Sequence, residues 1–238
     1  MSSPRRLART AGILYLLNGI LSGFAFGYVL SKVYLPGHAT ITAANVVANS
    51  GLVRIGVVAD LLQGTEWLFL AMMLYILLKH VHQSAATAMV VLVAVGAAIV
   101  CLNDVFQFET VRVASDPSYT AALGAAGSSA VVQLLLEIHH YGFLVAQIFF
   151  GLWLVPLGYL AYKSAMFPKA LGAALIVGGA CYLVGLLAVF LVPDFDLGEK
   201  INTFVTLPSA IAEVSMVLYL LVKGVKTPKR VERILAAA

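Results

Sequence analysis

The chain has few charged residues. Asp, Glu, Lys and Arg make up 11% of its 238 residues, whereas soluble domains carry about 25%. Hydrophobic residues make up 61% of the chain, and its mean hydropathy is +0.97. This composition excludes a soluble globular domain and predicts an integral membrane protein.

Cysteine is also scarce. The two cysteines, Cys101 and Cys181, both lie in apolar runs. They predict no disulfide framework, and we expect each to pack as a small apolar side chain. The sequence also lacks a nucleophile motif, a phosphate-binding loop and a cofactor fingerprint, so it indicates no named reaction.

Long apolar runs, in contrast, are abundant. About 20 residues suffice to cross the hydrocarbon core of a bilayer, and six runs reach that length. They predict an all-α fold, a polytopic bundle of six transmembrane helices that forms a single transmembrane domain over residues 1–238. The predicted helices cover residues 8–30, 52–78, 85–109, 130–162, 168–192 and 203–222.

Basic residues are unevenly divided between the two sets of segments that flank these helices. One set holds Arg5, Arg6, Arg9, Lys79, Lys163, Lys169, Lys223, Lys226, Lys229, Arg230 and Arg233, and the other holds Lys32, Arg54, Arg112 and Lys200. Because cytoplasmic loops are enriched in Lys and Arg, this asymmetry predicts a multi-pass protein of the inner (plasma) membrane with cytoplasmic N- and C-termini. The expected partners are the lipid bilayer and a small ligand or cation, with no nucleic acid. The oligomeric state is left open.

Acidic and imidazole side chains lie inside the predicted helices. A carboxylate near the middle of a bilayer costs roughly 2.5–3.5 kcal/mol on insertion scales, so these groups face the interior of the bundle. A rise of about 1.5 Å per residue brings side chains of four helices to one layer in the outer half. We therefore expect a polar cup that opens outward and binds a cation or a small ligand through Asp60, Glu66, Asp104, Glu137, His139, His140 and Glu213.

The fourth predicted helix has a polar stripe that contains Glu137 and His140. This Glu-x-x-His spacing puts two ligands on one helical face, as in di-iron carboxylate bundles. It predicts one divalent ion, zinc or iron, with the candidate ligands Glu137, His139, His140 and Asp104. Which of the two histidines faces the cup depends on the rotation of the helix.

Three functions are compatible with such a cup. The first is binding and proton-coupled transport of a cation or small ligand, with Asp60 and Glu213 as the charge carriers. The second is a metal-dependent intramembrane hydrolase or oxidoreductase. The third is a buried polar network that only holds the six helices together.

Several segments resemble a family of bacterial six-helix membrane proteins, the domain of unknown function four-three-eight-six family. They include the runs Arg9 to Tyr15, Arg54 to Asp60, His139 to Gly142, Phe149 to Gly151 and Leu157 to Tyr159. The resemblance covers nearly the full length and implies a six-helix fold, without an activity, substrate or cofactor. In the family pattern a single His is followed by Asp, which favours His139 over His140 as the shared position.

Overall fold

The computed structural model describes residues 3–226, and this part of the chain is helical with no strand. Its helices are α1 (Pro4–Val33), α2 (Ala39–Ala48), α3 (Ser50–Leu78), α4 (Gln83–Ser115), α5 (Pro117–Lys163), α6 (Lys169–Leu191), α7 (Phe195–Val205) and α8 (Leu207–Val222). The basic residues Lys229, Arg230 and Arg233, which entered the prediction of orientation, lie outside the described residues.

Among the described residues, six helical segments are long and apolar enough to cross a membrane: α1, α3, α4, α5, α6 and the consecutive pair α7 and α8. The predictions of an all-α fold and of a multi-pass membrane protein are therefore confirmed. Within α1, residues Gly23–Leu30 form a π-helix, a wider winding that is rare in proteins and is often found at functional sites.

The connection between α4 and α5 is shorter than the gap between the predicted helices 85–109 and 130–162. The stretch Val113 to Ser129 reads as a loop, but α4 runs to Ser115 and α5 begins at Pro117. The carboxylate of Asp116 accepts a hydrogen bond of 2.9 Å from the backbone N–H of Ser118, which lowers the pKa of Asp116. A capping Asp, a proline at the first helical position and an alanine-rich continuation all favour a helix start.

A second predicted turn is also helical. Residues 193–200 read as a solvated acidic turn, yet α7 begins inside them, because Asp194 caps its first turn by accepting the N–H of Leu197 at 3.0 Å. The break between α7 and α8 falls at Thr206, just before Pro208, and a proline disfavours helical backbone at the residue before it.

The chain divides into two compact units. Unit 1 takes its described residues from Met1–Leu16, Glu66–Gly96 and Ala146–Ala238, and unit 2 takes them from Leu17–Thr65 and Ala97–Val145. Helices α1, α3, α4 and α5 each contribute residues to both units. A single domain over residues 1–238 remains a prediction.

Unit 1 is built on the close approach of α5 and α6. A Cβ atom on Gly158 would lie 2.6 Å from the carbonyl oxygen of Gly172, and a Cβ atom on Gly151 would lie 2.7 Å from that of Gly179. Side chains at these positions would force the two backbones apart, so glycine permits this packing, as it often does between membrane helices. The small residues seen in the sequence of α6 therefore form a helix interface.

Unit 2 contains an apolar cluster that joins five of its segments. The buried side chains come from the end of α1, from α2, and from the parts of α3, α4 and α5 that belong to unit 2. They are Leu30, Val33, Val46, Val53, Val111, Val113, Val132 and Leu136, and we call them the valine cluster. This cluster fixes α2 against the three long helices that carry the candidate site.

Candidate metal centre

Two acidic residues of the site come from the antiparallel helices α3 and α4. A Cβ atom on Gly64 would contact Cys101 and lie 3.5 Å from the carbonyl oxygen of Ala97. About three turns away, the guanidinium of Arg54 lies 5.6 Å from the ring centre of Phe108. These two contacts set the register, which brings Asp60 of α3 level with the turn of α4 that carries Asp104.

The third residue, His139, comes from α5 and is held by Asn103 of α4. The Asn103 amide donates to the backbone carbonyl of His139 at 2.6 Å. The ring Nδ1 of His139 lies 3.3 Å from Asn103 Nδ2 and 3.4 Å from the Asn103 carbonyl oxygen. Nδ1 is therefore occupied by Asn103, while Nε2 has no hydrogen-bond partner among residues 3–226.

Close packing against Gly142 keeps Asn103 in this position. A Cβ atom on Gly142 would overlap the side-chain amide of Asn103. Because Gly142 has no side chain, α5 approaches α4 closely enough for Asn103 to reach the backbone and the ring of His139 together. A residue that hydrogen-bonds a metal-binding side chain often fixes the orientation of that side chain. Asn103 is in this position relative to His139.

Asp60, Asp104 and His139 form one group. A carboxylate oxygen of each Asp and a ring nitrogen of His139 all lie within 4.8 Å of one another. Each of the three residues is 1% exposed. Neither oxygen of either carboxylate has a hydrogen-bond partner within the described part of the chain. Two buried carboxylates this close repel each other and lack donors, so their environment favours a bound cation or bound protons.

The donor set suits a divalent metal ion. Carboxylate oxygen and imidazole nitrogen are common ligands of zinc, iron and manganese. Three protein ligands also leave coordination positions open, as in catalytic zinc sites. The residues present therefore fit the single divalent ion that the sequence predicts, with Asp60 joining Asp104 and His139.

The other predicted metal ligands lie in different surroundings. Glu137 accepts a hydrogen bond of 2.9 Å from the side-chain amide of Gln133. The ring of His140 stacks on Phe26 of the π-helical segment, with 5.8 Å between the ring centres. Neither residue belongs to the group of three, and their role as ligands remains a prediction.

Glu66 and Glu213 belong to unit 1. Glu66 is buried. Glu213 is bound by two phenols, since the hydroxyl of Tyr15 donates to one of its oxygens at 2.7 Å and that of Tyr182 donates to the other at 2.8 Å. The carboxylate of Glu213 is thus satisfied locally, unlike those of Asp60 and Asp104.

Sequence reasoning missed the residues that hold these side chains. Asn103 was visible as a polar residue near the end of an apolar run, but nothing in the pattern paired it with His139. Tyr15 lies on a polar face of α1 and Tyr182 lies in an apolar helix, so their shared contact with Glu213 carried no signal. Contacts between residues far apart in the chain are not encoded in local periodicity.

The chain was also compared with known proteins. No curated protein and no solved structure matches it. The model of a family described as a domain of unknown function, DUF4386, matches residues 10–224. Since this match covers most of the chain, the protein belongs to the DUF4386 family.

Proposed function

We propose that the protein binds a divalent metal ion inside the membrane through Asp60, Asp104 and His139, and that it serves to move this ion. The observation that supports the proposal is the buried group of three, whose oxygen and Nε2 atoms have no partner among residues 3–226. Ionised carboxylates are costly to bury unless they are paired or bind a metal. A divalent ion removes that cost and occupies all three ligands.

The ligand set favours a transition metal over calcium or magnesium. Calcium takes six to eight oxygen ligands and magnesium prefers six, with several waters retained. A site with an imidazole nitrogen suits zinc, iron or manganese better. We therefore propose zinc, iron or manganese as the ion.

The proposed orientation follows from the basic residues of the sequence. With both termini in the cytoplasm, α3 begins at the outer surface and α4 ends there. Asp60 lies ten residues after the start of α3, and Asp104 lies eleven residues before the end of α4. At 1.5 Å per residue both are about 15–17 Å from the outer helix ends, so the site would lie in the outer half of the membrane.

A direct test measures metal bound to the purified full-length protein. We expect one equivalent of zinc or manganese by elemental analysis after equilibration and desalting. Asp60→Asn, Asp104→Asn and His139→Gln should each weaken binding at least tenfold, because each removes a ligand or its charge. Binding should also weaken on acidification, because protons compete with the metal for all three groups.

Matched variants separate the site from the other predicted ligands. Glu137→Gln, His140→Gln and Glu213→Gln change the same residue types outside the group of three, and we expect them to bind metal as the wild type does. Binding that is absent in the wild type, or that survives the loss of all three ligands, would refute the proposal.

Open coordination positions support an intramembrane metal enzyme as the second candidate. An uptake assay in liposomes distinguishes the two functions. A transporter carries manganese or zinc to a metal-sensitive dye enclosed in the lumen, whereas an enzyme does not. Uptake that is lost in Asp60→Asn and retained in Glu137→Gln supports transport. Stoichiometric metal without uptake supports the enzyme.

A further inference from the structure

Three buried glutamines of unit 2 have amide atoms without hydrogen-bond partners in the described structure. The unpartnered atoms are Oε1 of Gln63, Oε1 of Gln133, and both Oε1 and Nε2 of Gln107. The three residues are 4%, 7% and 0% exposed, respectively. Buried polar groups are nearly always paired in native proteins, because an unpaired one loses its hydrogen bonds to water without replacement. Three in one unit therefore require an explanation.

Two of these glutamines flank the metal centre on opposite sides. Asp60 and Gln63 are three residues apart on α3, and Asp104 and Gln107 are three residues apart on α4. This spacing puts each glutamine on the same helical face as its aspartate, about one turn away. Because α3 and α4 are antiparallel, one glutamine lies toward each end of the helix pair.

The register between α4 and α5 positions the third glutamine. Asn103 contacts His139, and the hydroxyl of Ser128 reaches the carbonyl oxygen of Val113 at 3.4 Å. These two contacts show that α4 and α5 are also antiparallel. They place Gln133 at the level of Gln107. At 100° per residue, however, Gln133 leaves α5 about 140° from Ser128 and about 120° from His139, the two residues that contact α4, so its side chain does not point toward α4.

Two of the glutamines and the ligand group thus follow one line. In order along the helix axes they are Gln107, the group of Asp104, Asp60 and His139, and then Gln63. The line is about 11 Å long at a rise of 1.5 Å per residue. We call it the polar column, and all of its members belong to unit 2.

We infer that the polar column is the path along which cations reach and leave the metal centre. The inference rests on the proposed function, since the ion bound by Asp60, Asp104 and His139 is the ion that moves. Amide and carboxylate oxygens can replace part of the hydration shell of a cation as it passes. The column contains two carboxylates and no Lys or Arg, so its charge favours cations over anions.

The valine cluster lies beyond the Gln107 end of the column. Val111 lies one turn beyond Gln107 on the same face of α4 and belongs to this buried cluster. Its apolar side chains close that end in this structure. An ion passes only when the cluster separates, which makes the two glutamines of the column transient binding groups rather than permanent ligands.

The test uses cysteine accessibility, which requires no bound metal. In a background with Cys101→Ala and Cys181→Ala, the variants Gln63→Cys and Gln107→Cys are made one at a time. The matched controls Gln133→Cys on α5 and Val29→Cys on α1 are also buried in unit 2, at 7% and 0% exposed, but lie outside the column. Each is treated in liposomes with a quaternary-ammonium or a sulfonate methanethiosulfonate reagent, and the rates are normalised to a free thiol.

We expect the two column positions to react at least tenfold faster than the two controls, and faster with the cationic reagent than with the anionic one. Column cysteines that react no faster than the controls would overturn the inference, as would equal rates with both reagents. The metal-binding assay decides the proposed function separately. Cation-selective labelling without metal binding would retain the path and reject the metal centre.

Discussion

At the scale of single residues, His139 illustrates how a neighbour determines the role of a ligand. Asn103 contacts both its backbone carbonyl and its Nδ1 atom. The opposite nitrogen, Nε2, has no hydrogen-bond partner among residues 3–226. His140 is the next residue, about 100° around the same helix, and its ring stacks on Phe26 instead. Two adjacent imidazoles therefore have different surroundings because their neighbours on other helices differ.

The contact between Gly142 and Asn103 leads to a prediction about metal affinity. Gly142→Ala adds one methyl group, which would overlap the Asn103 amide and displace it from His139. We expect metal affinity to fall by about 10–100-fold, the range typical for loss of a residue that orients a ligand, while the protein still folds. Titration of the purified variant with zinc measures the change.

Gly19→Ala is the matched control for this change. Its added Cβ atom meets nothing within 4 Å, so zinc affinity should equal that of the wild type. Unchanged affinity in Gly142→Ala would show that Asn103 does not position His139. A fall of equal size in both variants would show a general effect of replacing glycine in a membrane helix.

At the scale of elements, the helix pairs of the two units are joined by different means. In unit 2, α4 and α5 are linked by polar contacts from Asn103 and Ser128. In unit 1, α5 and α6 meet through two pairs of glycines. Helix α5 takes part in both kinds of contact. Its residues up to Val145 belong to unit 2 and its residues from Ala146 belong to unit 1.

The glycine contacts of unit 1 predict a position-specific effect on stability. Gly172→Ala would place a methyl group 2.6 Å from the backbone nitrogen of Tyr162, so α6 must move away from α5. Overpacking of this kind costs typically 1–3 kcal/mol. We expect a lower thermal midpoint of unfolding in detergent, with metal binding by the ligand group of unit 2 unaffected.

An exposed neighbour on the same helix provides the control for this variant. Ala173 is exposed, and Ala173→Val adds volume to the face of α6 that does not contact α5. Its thermal midpoint should match that of the wild type. Equal midpoints for Gly172→Ala and the wild type would mean that α5 and α6 can separate at this point without cost.

At the scale of the whole molecule, apolar runs were sufficient to predict the six spanning helices. Their ends were harder to predict, because the stretch Val113 to Ser129 combines alanine, which favours helix, with Gly124, which does not. In the structure Gly124 has a φ of 71° inside an otherwise helical stretch. The alanines of this stretch therefore favour a helix that begins at Pro117. Gly124 interrupts that helix at one residue and does not produce a loop.

The candidate site was predictable only in part. Burial of acids in apolar helices pointed to Asp60 and Asp104, since such residues must face inward. The choice between His139 and His140 required the rotation of α5, which local periodicity gives only to within about a residue. The two phenols that bind Glu213 were not predictable either, because they come from helices far apart in the sequence.

The orientation of the whole chain is the last prediction, and it determines which side of the membrane supplies the ion. Eleven of the fifteen basic residues belong to the segments assigned to the cytoplasm. In a cysteine-free background of intact cells, Ser115→Cys at the end of α4 should react with a membrane-impermeant maleimide. Gln83→Cys at the start of α4 should react only after the membrane is permeabilised. The two positions lie at opposite ends of one helix that is long and apolar enough to cross a membrane, so they form an internal pair in which one is the control for the other. The reverse labelling pattern would place the N- and C-termini outside, and the ligand group would then lie nearer to the cytoplasm.

Labelling of both positions in intact cells would mean that the reagent enters the cell. A cytoplasmic protein with a free thiol in the same sample checks that the reagent is excluded.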